Sequence, residues 1–204
     1  MIAIIDYDAG NLFSVQKAFE ALGAPVKVTR DPEDLRAAEK LVLPGVGAFG
    51  DCMEHLCATG LIPVIREETA AGKPLLGICV GLQILFESSE ESPGAAGIGL
   101  LKGQVRKIDA GGLKVPHMGW NSLTFRETPA GSIDLFAGLP EHPYVYFVHS
   151  YAAVPIESGL VTAVTDYGGT VTAAAACGNI LATQFHPEKS GDVGLKMLQN
   201  FVEG

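Results

Sequence analysis

Short continuous apolar runs alternate along the first half of the chain with stretches in which apolar side chains recur every third or fourth position. MIAIID has the continuity of a buried strand, and in the following NLFSVQKAFEALG the residues Leu12, Val15, Phe19 and Leu22 recur at helical spacing until Gly23 ends the pattern. PVKVT and DPEDLRAAEK repeat the scheme, with Asp31 as N-cap and Pro32 at the first helical position. LVLPGVG, a helical stretch from Asp51 to Ala71, PLLGIC and a helix after Cys79 complete four strand-then-helix alternations. Such alternation predicts a mostly parallel sheet covered by helices.

From Gly94 the texture changes. GLLKGQVRKID, LKVPHMGWNSLTF, YVYFVHSYAAV, LVTAVTDYGG, TVTAAAACGN and ILATQFHP read as strands separated by Gly-rich turns, and DVGLKMLQNFVE reads as a closing helix. The fold class expected is α/β: a mostly parallel central sheet flanked by helices, with added antiparallel strands in the C-terminal half. With no linker, repeat or low-complexity tract in view, residues 1–204 are expected to form a single domain.

Composition narrows the partners. The 204 residues are 48% hydrophobic, enough for a sizeable core, and carry a formal net charge of -9 with no dense Lys/Arg run. That balance weighs against nucleic acid and anionic membrane as partners. The run Ile2 to Ile5 is interrupted by Asp6 and has no basic leader, so it reads as a strand and not a signal peptide, and no window has the length of a membrane span. A cytoplasmic location is expected. Cys52, Cys57, Cys79 and Cys177 form no CxxC pair and have no matching His spacing, so neither a metal nor another cofactor is expected. Cys52, Cys57 and Cys177 read as small buried hydrophobes.

Cys79 is different. In GICVG it stands where a strand turns into a helix, and a thiol there feels the positive end of the helix dipole and unpaired backbone N–H groups, both of which favour thiolate. Gly77 and Gly81, two places away on either side, relieve crowding at a sharp turn of the G-x-nucleophile-x-G kind. A thiol nucleophile needs a base, and QFHPEKSG supplies a candidate. Pro187 disfavours the α region for His186, and in an extended chain His186 and Glu188 project to the same side. Glu188 then accepts from Nδ1 of His186 and leaves Nε2 toward Cys79: nucleophile, base and orienting carboxylate. The third element is LPGVGAFG, where Gly45, Val46 and Gly47 let backbone N–H groups approach a substrate carbonyl and, with the Val80 N–H, form an oxyanion hole.

GICVGLQ, QFHPEKSG and LPGVGAFG together resemble the class I, triad-type glutamine amidotransferases, whose elbow usually reads G-[IV]-C-x-G-x-Q and whose base motif is H-P-E. The resemblance covers the whole chain. The longer motifs IDYDAGN, GICVGLQILFESSEE, VPHMGWN and YFVHSY are similar to those of the family members that feed ammonia to a separate (β/α)₈ cyclase acting on a phosphoribulosyl-formimino carboxamide nucleotide. The resemblance implies L-glutamine as substrate, Cys79 as nucleophile, His186 as general base and acid, and Glu188 as its partner. It further implies that Gln83, Glu91 and the backbone around Ser150 and Tyr151 hold the glutamine, and that the chain works as a heterodimer with the cyclase. Glu91 offers a carboxylate for an α-ammonium, and Gln83 lies one helical turn beyond Cys79. Lys189, Trp120, His117 and Tyr146 are the candidates for the partner-facing surface. Position 8, often glycine in this motif, is Asp8 here.

The Gly45–Val46 peptide is a candidate switch, because glycine lowers the barrier to rotating it between an orientation that donates to the oxyanion and one that repels it. Two other readings compete: a cysteine peptidase or chaperone-like relative on the same fold, and a non-catalytic regulatory subunit. The first gives no reason for pairing His186-Pro187-Glu188 with Gln83, and the second no reason for an intact triad.

Overall fold

A computed structural model describes residues 1–204. In the first half, the strands are β1 (Ile2–Ile5), β2 (Val26–Thr29), β3 (Lys40–Gly45) and β4 (Leu75–Cys79), joined by α1 (Leu12–Ala21), α2 (Pro32–Ala37), α3 (Phe49–Thr59) and α4 (Ile62–Ala70). β1, β3 and β4 are buried along their apolar lengths because helices cover them, which is why they read as continuous apolar runs. Asp31 caps α2 as its chemistry predicts, its side chain accepting from the Glu33 N–H with Pro32 at the first turn. The helical stretch expected from Asp51 to Ala71 is two helices, because Gly60 takes a left-handed conformation (φ 71°) and ends α3.

After β4 the chain forms α5 (Val80–Ile84), then β5 (Ser88–Ser89), β6 (Gly103–Lys107), β7 (His117–Ser122), β8 (Thr124–Phe125), β9 (Tyr144–His149), β10 (Tyr151–Pro155), β11 (Val161–Asp166), β12 (Thr170–Cys177), β13 (Ile180–Thr183) and α6 (Gly191–Glu203). The helix after Cys79 is thus only five residues long, and Glu91 lies in the turn beyond β5.

An eight-stranded sheet runs β2-β1-β3-β4-β13-β12-β11-β8. Its first five strands pair in parallel, and β12, β11 and β8 extend it antiparallel. The remaining strands form a three-stranded sheet, β10-β6-β5, and the antiparallel pair β7-β9. One cluster of 51 buried apolar residues spans both halves of the chain. No helix is long and apolar enough to cross a membrane.

The topology places chemistry at one edge. β3, β4 and β13 are parallel neighbours, so the segments leaving their C-terminal ends, at Gly45, Cys79 and beyond Thr183, emerge side by side.

Candidate active site

Cys79 ends β4 with φ 58° and ψ -111°, a combination that side chains other than glycine rarely adopt. The sharp turn that results puts the Cys79 thiol at the start of α5. Its two flanking glycines have the steric role expected of them. A β-carbon on Gly81 would overlap the carbonyl oxygen of Leu43, and one on Gly77 would come within 2.8 Å of Leu85 Cδ1 and 2.9 Å of the Gly81 oxygen. Gly45, the lateral partner of Cys79, is as tightly enclosed: its β-carbon would lie 2.6 Å from Gly81 N and 2.8 Å from the Tyr7 hydroxyl.

The base-bearing segment is stapled in place by its own backbone. The His186 N–H donates to the Tyr146 carbonyl at 3.0 Å, and the Ser190 hydroxyl donates to the His186 carbonyl at 2.6 Å while accepting from the Tyr146 N–H at 3.0 Å. His186 is extended (φ -101°, ψ 97°), as the following proline requires, but Pro187–Lys189 is a 3₁₀ turn and not an extended strand. The turn still brings Glu188 Oε1 to 2.8 Å from His186 Nδ1, with both side chains buried. Burial alone would lower the His186 pKa, but proximity to Cys79 and Glu188 outweighs it and pushes the value up to about 9. Nε2 of His186 is buried and has no hydrogen-bond partner at ordinary length. His186 and Cys79 line one cavity of about 270 Å³.

Val46, Gly47, Val80, Gln83, Glu91, Ser150 and Tyr151 line that cavity as well. Glu91 is held by its Oε2, which accepts from the Phe49 N–H at 2.8 Å at the start of α3. Gln83 is buried and donates to the Tyr151 carbonyl at 3.0 Å and to Gln184 Oε1 at 3.1 Å. The peptide between Gly45 and Val46 is flanked by two clamps. The Tyr7 hydroxyl donates to the Pro44 carbonyl at 2.6 Å, and the Cys52 thiol donates to the Val46 carbonyl at 3.3 Å. Burial pushes the Cys52 pKa up to about 11 and, with Cys52 beside it, raises that of Tyr7 well above the usual tyrosine value, so both remain protonated donors.

Of the residues proposed for a partner-facing surface, Lys189 and Trp120 are exposed and Tyr146 is half-buried. Trp120 and Tyr146 are cross-strand partners on β7 and β9 and meet edge to face at 6.2 Å. Met118 and Tyr144 are exposed on the same face, and Val46 on the cavity rim is also exposed. His117 is a correction. Strand alternation turns it to the opposite face, where it is 2% exposed between the rings of Phe147 and Tyr167. Cys57 and Cys177, expected to be buried, are exposed, whereas Cys52 is buried.

The sequence reading also leaves out Gln184, whose Nε2 approaches Cys79 Sγ at 4.0 Å, and His149, which lines the cavity. Both sit beside residues the motifs do pick out, Gln184 two places before His186 and His149 next to Ser150. Only the strand register reveals them.

A strained strand-to-helix cysteine, a His-Glu pair from the segment after the neighbouring parallel strand and a glycine-rich segment from the strand on the other side converge on one cavity. The fold that carries them is that of the class-I glutamine amidotransferases, and the chain belongs to that family: the model of glutamine amidotransferase class-I matches residues 3–204. It is 52% identical over 202 residues to imidazole glycerol phosphate synthase subunit HisH of Moorella thermoacetica, covering 99% of this chain and 94% of that one. It is 50% identical over 207 residues to the HisH subunit of Sulfurimonas denitrificans, covering 100% and 98%. Within the family the chain therefore groups with HisH, the glutaminase subunit of that synthase. Among solved structures, a glutamine amidotransferase crystal structure aligns with TM-score 0.76 at 20% identity, covering 99% of this chain and 97% of that one. PurLQS from Thermotoga maritima aligns with TM-score 0.76 at 22% identity over the same shares. Both share the fold.

Proposed function

We propose that Cys79, His186 and Glu188 form the triad through which this glutaminase subunit hydrolyses L-glutamine to glutamate and ammonia for histidine biosynthesis. The observation that carries the reading is the buried His186–Glu188 pair at 2.8 Å, whose free Nε2 shares a cavity with Cys79. Glu188 accepts a hydrogen bond from Nδ1–H and so fixes the ring, turning Nε2 to the thiol. His186, whose raised pKa favours the protonated ring, holds the proton taken from the Cys79 thiol, and Cys79 Sγ attacks the side-chain amide carbon. The tetrahedral oxyanion is held by N–H groups of Val80 and the Val46–Gly47 segment. His186 then protonates the departing nitrogen, ammonia leaves, and a glutamyl thioester remains. Water, deprotonated by His186, cleaves the thioester and restores the thiol. Gln83, Glu91, Gly45, Ser150 and Tyr151 hold the substrate, with Glu91 facing its α-ammonium.

The ammonia passes to a (β/α)₈ cyclase in a cytoplasmic heterodimer that makes imidazole glycerol phosphate and AICAR. The exposed face of Trp120, Tyr146 and Lys189 lies beside the cavity and is the surface for that partner. Rotation of the Gly45–Val46 peptide between its two clamps couples docking to hydrolysis: one missing oxyanion donor costs about 3 to 4 kcal/mol of barrier, roughly 10²- to 10³-fold in rate. Glutamate release from the chain alone, with the cyclase, and with the cyclase and its nucleotide tests the reading. The rate is expected to rise at each step. Equal rates would remove the coupling, and absence of glutamine turnover in the complete complex would remove the glutaminase assignment.

A further inference from the structure

His117 and His149 face each other across β7 and β9 as register partners, buried at 2% and 6% exposure, with His117 Nδ1 only 2.9 Å from His149 Nε2. Two imidazoles this close and this dry hold their protons where their other contacts dictate. His149 Nδ1 lies 2.9 Å from the Tyr151 carbonyl, which only accepts, so this nitrogen carries a proton. Burial lowers the pKa of both histidines to about 4, so each ring is neutral. His149 Nε2 is then bare and accepts from Nδ1–H of His117. His117 Nε2 is bare in turn, and the Asn121 amide donates to it at 3.3 Å while its other hydrogen goes to the Asp166 carbonyl at 2.9 Å. The hydrogen bonds therefore run in one direction: Asn121 to His117 to His149 to the Tyr151 oxygen.

That oxygen is a shared anchor. Gln83 donates to it from the other side at 3.0 Å and spends its second hydrogen on Gln184, whose own amide approaches the Cys79 sulfur. The neighbouring Ser150 carbonyl accepts from the Ile108 N–H at 3.0 Å, so the Ser150–Tyr151 segment is fixed at both carbonyls. Stacking of His117 on Phe147 and Tyr167, with ring centroids 4.6 Å and 4.0 Å apart, prevents the relay from turning.

We propose that His117 and His149 are positioning residues of the substrate site: a pair of neutral Nδ1–H imidazoles that sets the Tyr151 carbonyl, and so aligns the Ser150–Tyr151 wall and Gln83 with the thiol of Cys79. The proposal rests on the glutaminase reading above and assigns neither histidine a step in the chemistry. Replacing His149 by Phe keeps the ring volume and removes the donor. Replacing it by Asn loses volume but places an N–H close to where Nδ1–H was.

In the complex with its partner, His149→Phe is expected to raise the KM for glutamine about tenfold or more with a smaller change in kcat, and His149→Asn to recover most of the loss. The opposite order, Phe outperforming Asn, means that the ring only fills space, and overturns the proposal. Imidazole ¹⁵N spectra of the unaltered protein are expected to show protonated Nδ1 and bare Nε2 on both residues at neutral pH; an Nε2–H on either one overturns it without reference to any variant. Alkylation of Cys79 by iodoacetamide is expected to be equally fast in His149→Phe and the parent. Intact alkylation together with no glutamine turnover in the parent complex would sink the glutaminase reading and leave the tautomer result standing by itself.

Discussion

Gly81 faces the carbonyl oxygen of Leu43 so closely that an added β-carbon would overlap it, leaving no space for a side chain between α5 and β3. The obstacle is backbone on the strand that leads into the Gly45–Val46–Gly47 segment, so neither side can yield cheaply. Gly81→Ala is expected to cost about 3 kcal/mol or more, a fall in Tm of roughly 6 to 12 °C, visible by calorimetry. A melting temperature unchanged from the parent would show that the elbow is looser than its geometry implies.

Cys79 occupies a backbone conformation that glycine accepts and alanine does not. Removal of the thiol in either variant is expected to abolish glutamine hydrolysis. Stability should separate the two: Cys79→Gly is expected to be about 1 kcal/mol more stable than Cys79→Ala, the reverse of the usual order. Urea titration of both proteins makes the comparison.

Glu91 serves two ends at once, with Oε2 on the Phe49 N–H at the start of α3 and the carboxylate facing the cavity. Glu91→Gln keeps an acceptor for the helix terminus but loses the charge. Its stability is expected to stay within about 0.5 kcal/mol of the parent while the KM for glutamine rises about tenfold or more. Glu91→Ala should lose about 1 kcal/mol in addition. Equal KM for Gln and Glu at this position would remove Glu91 from ammonium recognition.

Tyr7 restrains one side of the Gly45–Val46 peptide through its bond to the Pro44 carbonyl. In Tyr7→Phe that buried carbonyl loses its donor, at a cost of about 1 to 3 kcal/mol. The freed peptide is expected to rotate more readily, so glutamate release without the partner should rise and the stimulation ratio fall. A ratio equal to that of the parent would show that the clamp does not limit the rotation.

The buried histidines give stability a defined pH dependence. His117 and His149 fall from an unfolded value of 6.5 to about 4 in the fold, so unfolding between those values takes up protons and stability drops as the solution is acidified from pH 6.5 toward 4. His186 acts in the opposite sense: raised from 6.5 to about 9, its contribution is complete below 6.5 and is lost as pH rises through 9. Urea midpoints across this range are expected to peak near neutrality, and a His117→Phe, His149→Phe double variant should flatten only the acid limb.

The parallel half of the fold is legible in the sequence because β1, β3 and β4 are covered on both faces and read as unbroken apolar runs, while Asp31, Pro32 and Gly23 mark helix ends by local chemistry. Cys79, His186 and Glu188 stand out for the same reason, since each belongs to a short motif whose geometry is local. His117 does not. Its place is decided by which face of β7 packs on Phe147 and Tyr167, a pairing with distant segments that no local pattern records. The break between α3 and α4 at Gly60 is missed because apolar spacing continues across it.

The strand that completes the centre of the large sheet, β13, is the last one in the chain, and it inserts between β4 and β12. As the polypeptide emerges from the ribosome, the edge of β4 therefore stays open until residues 180–183 arrive. That edge, Leu75–Cys79, is fully buried in the finished fold, so the nascent chain carries an open apolar margin while residues 80–179 are made and depends on late, long-range pairing to close it. The same insertion brings His186 beside the thiol of Cys79, which makes assembly of the proposed triad and completion of the sheet a single event.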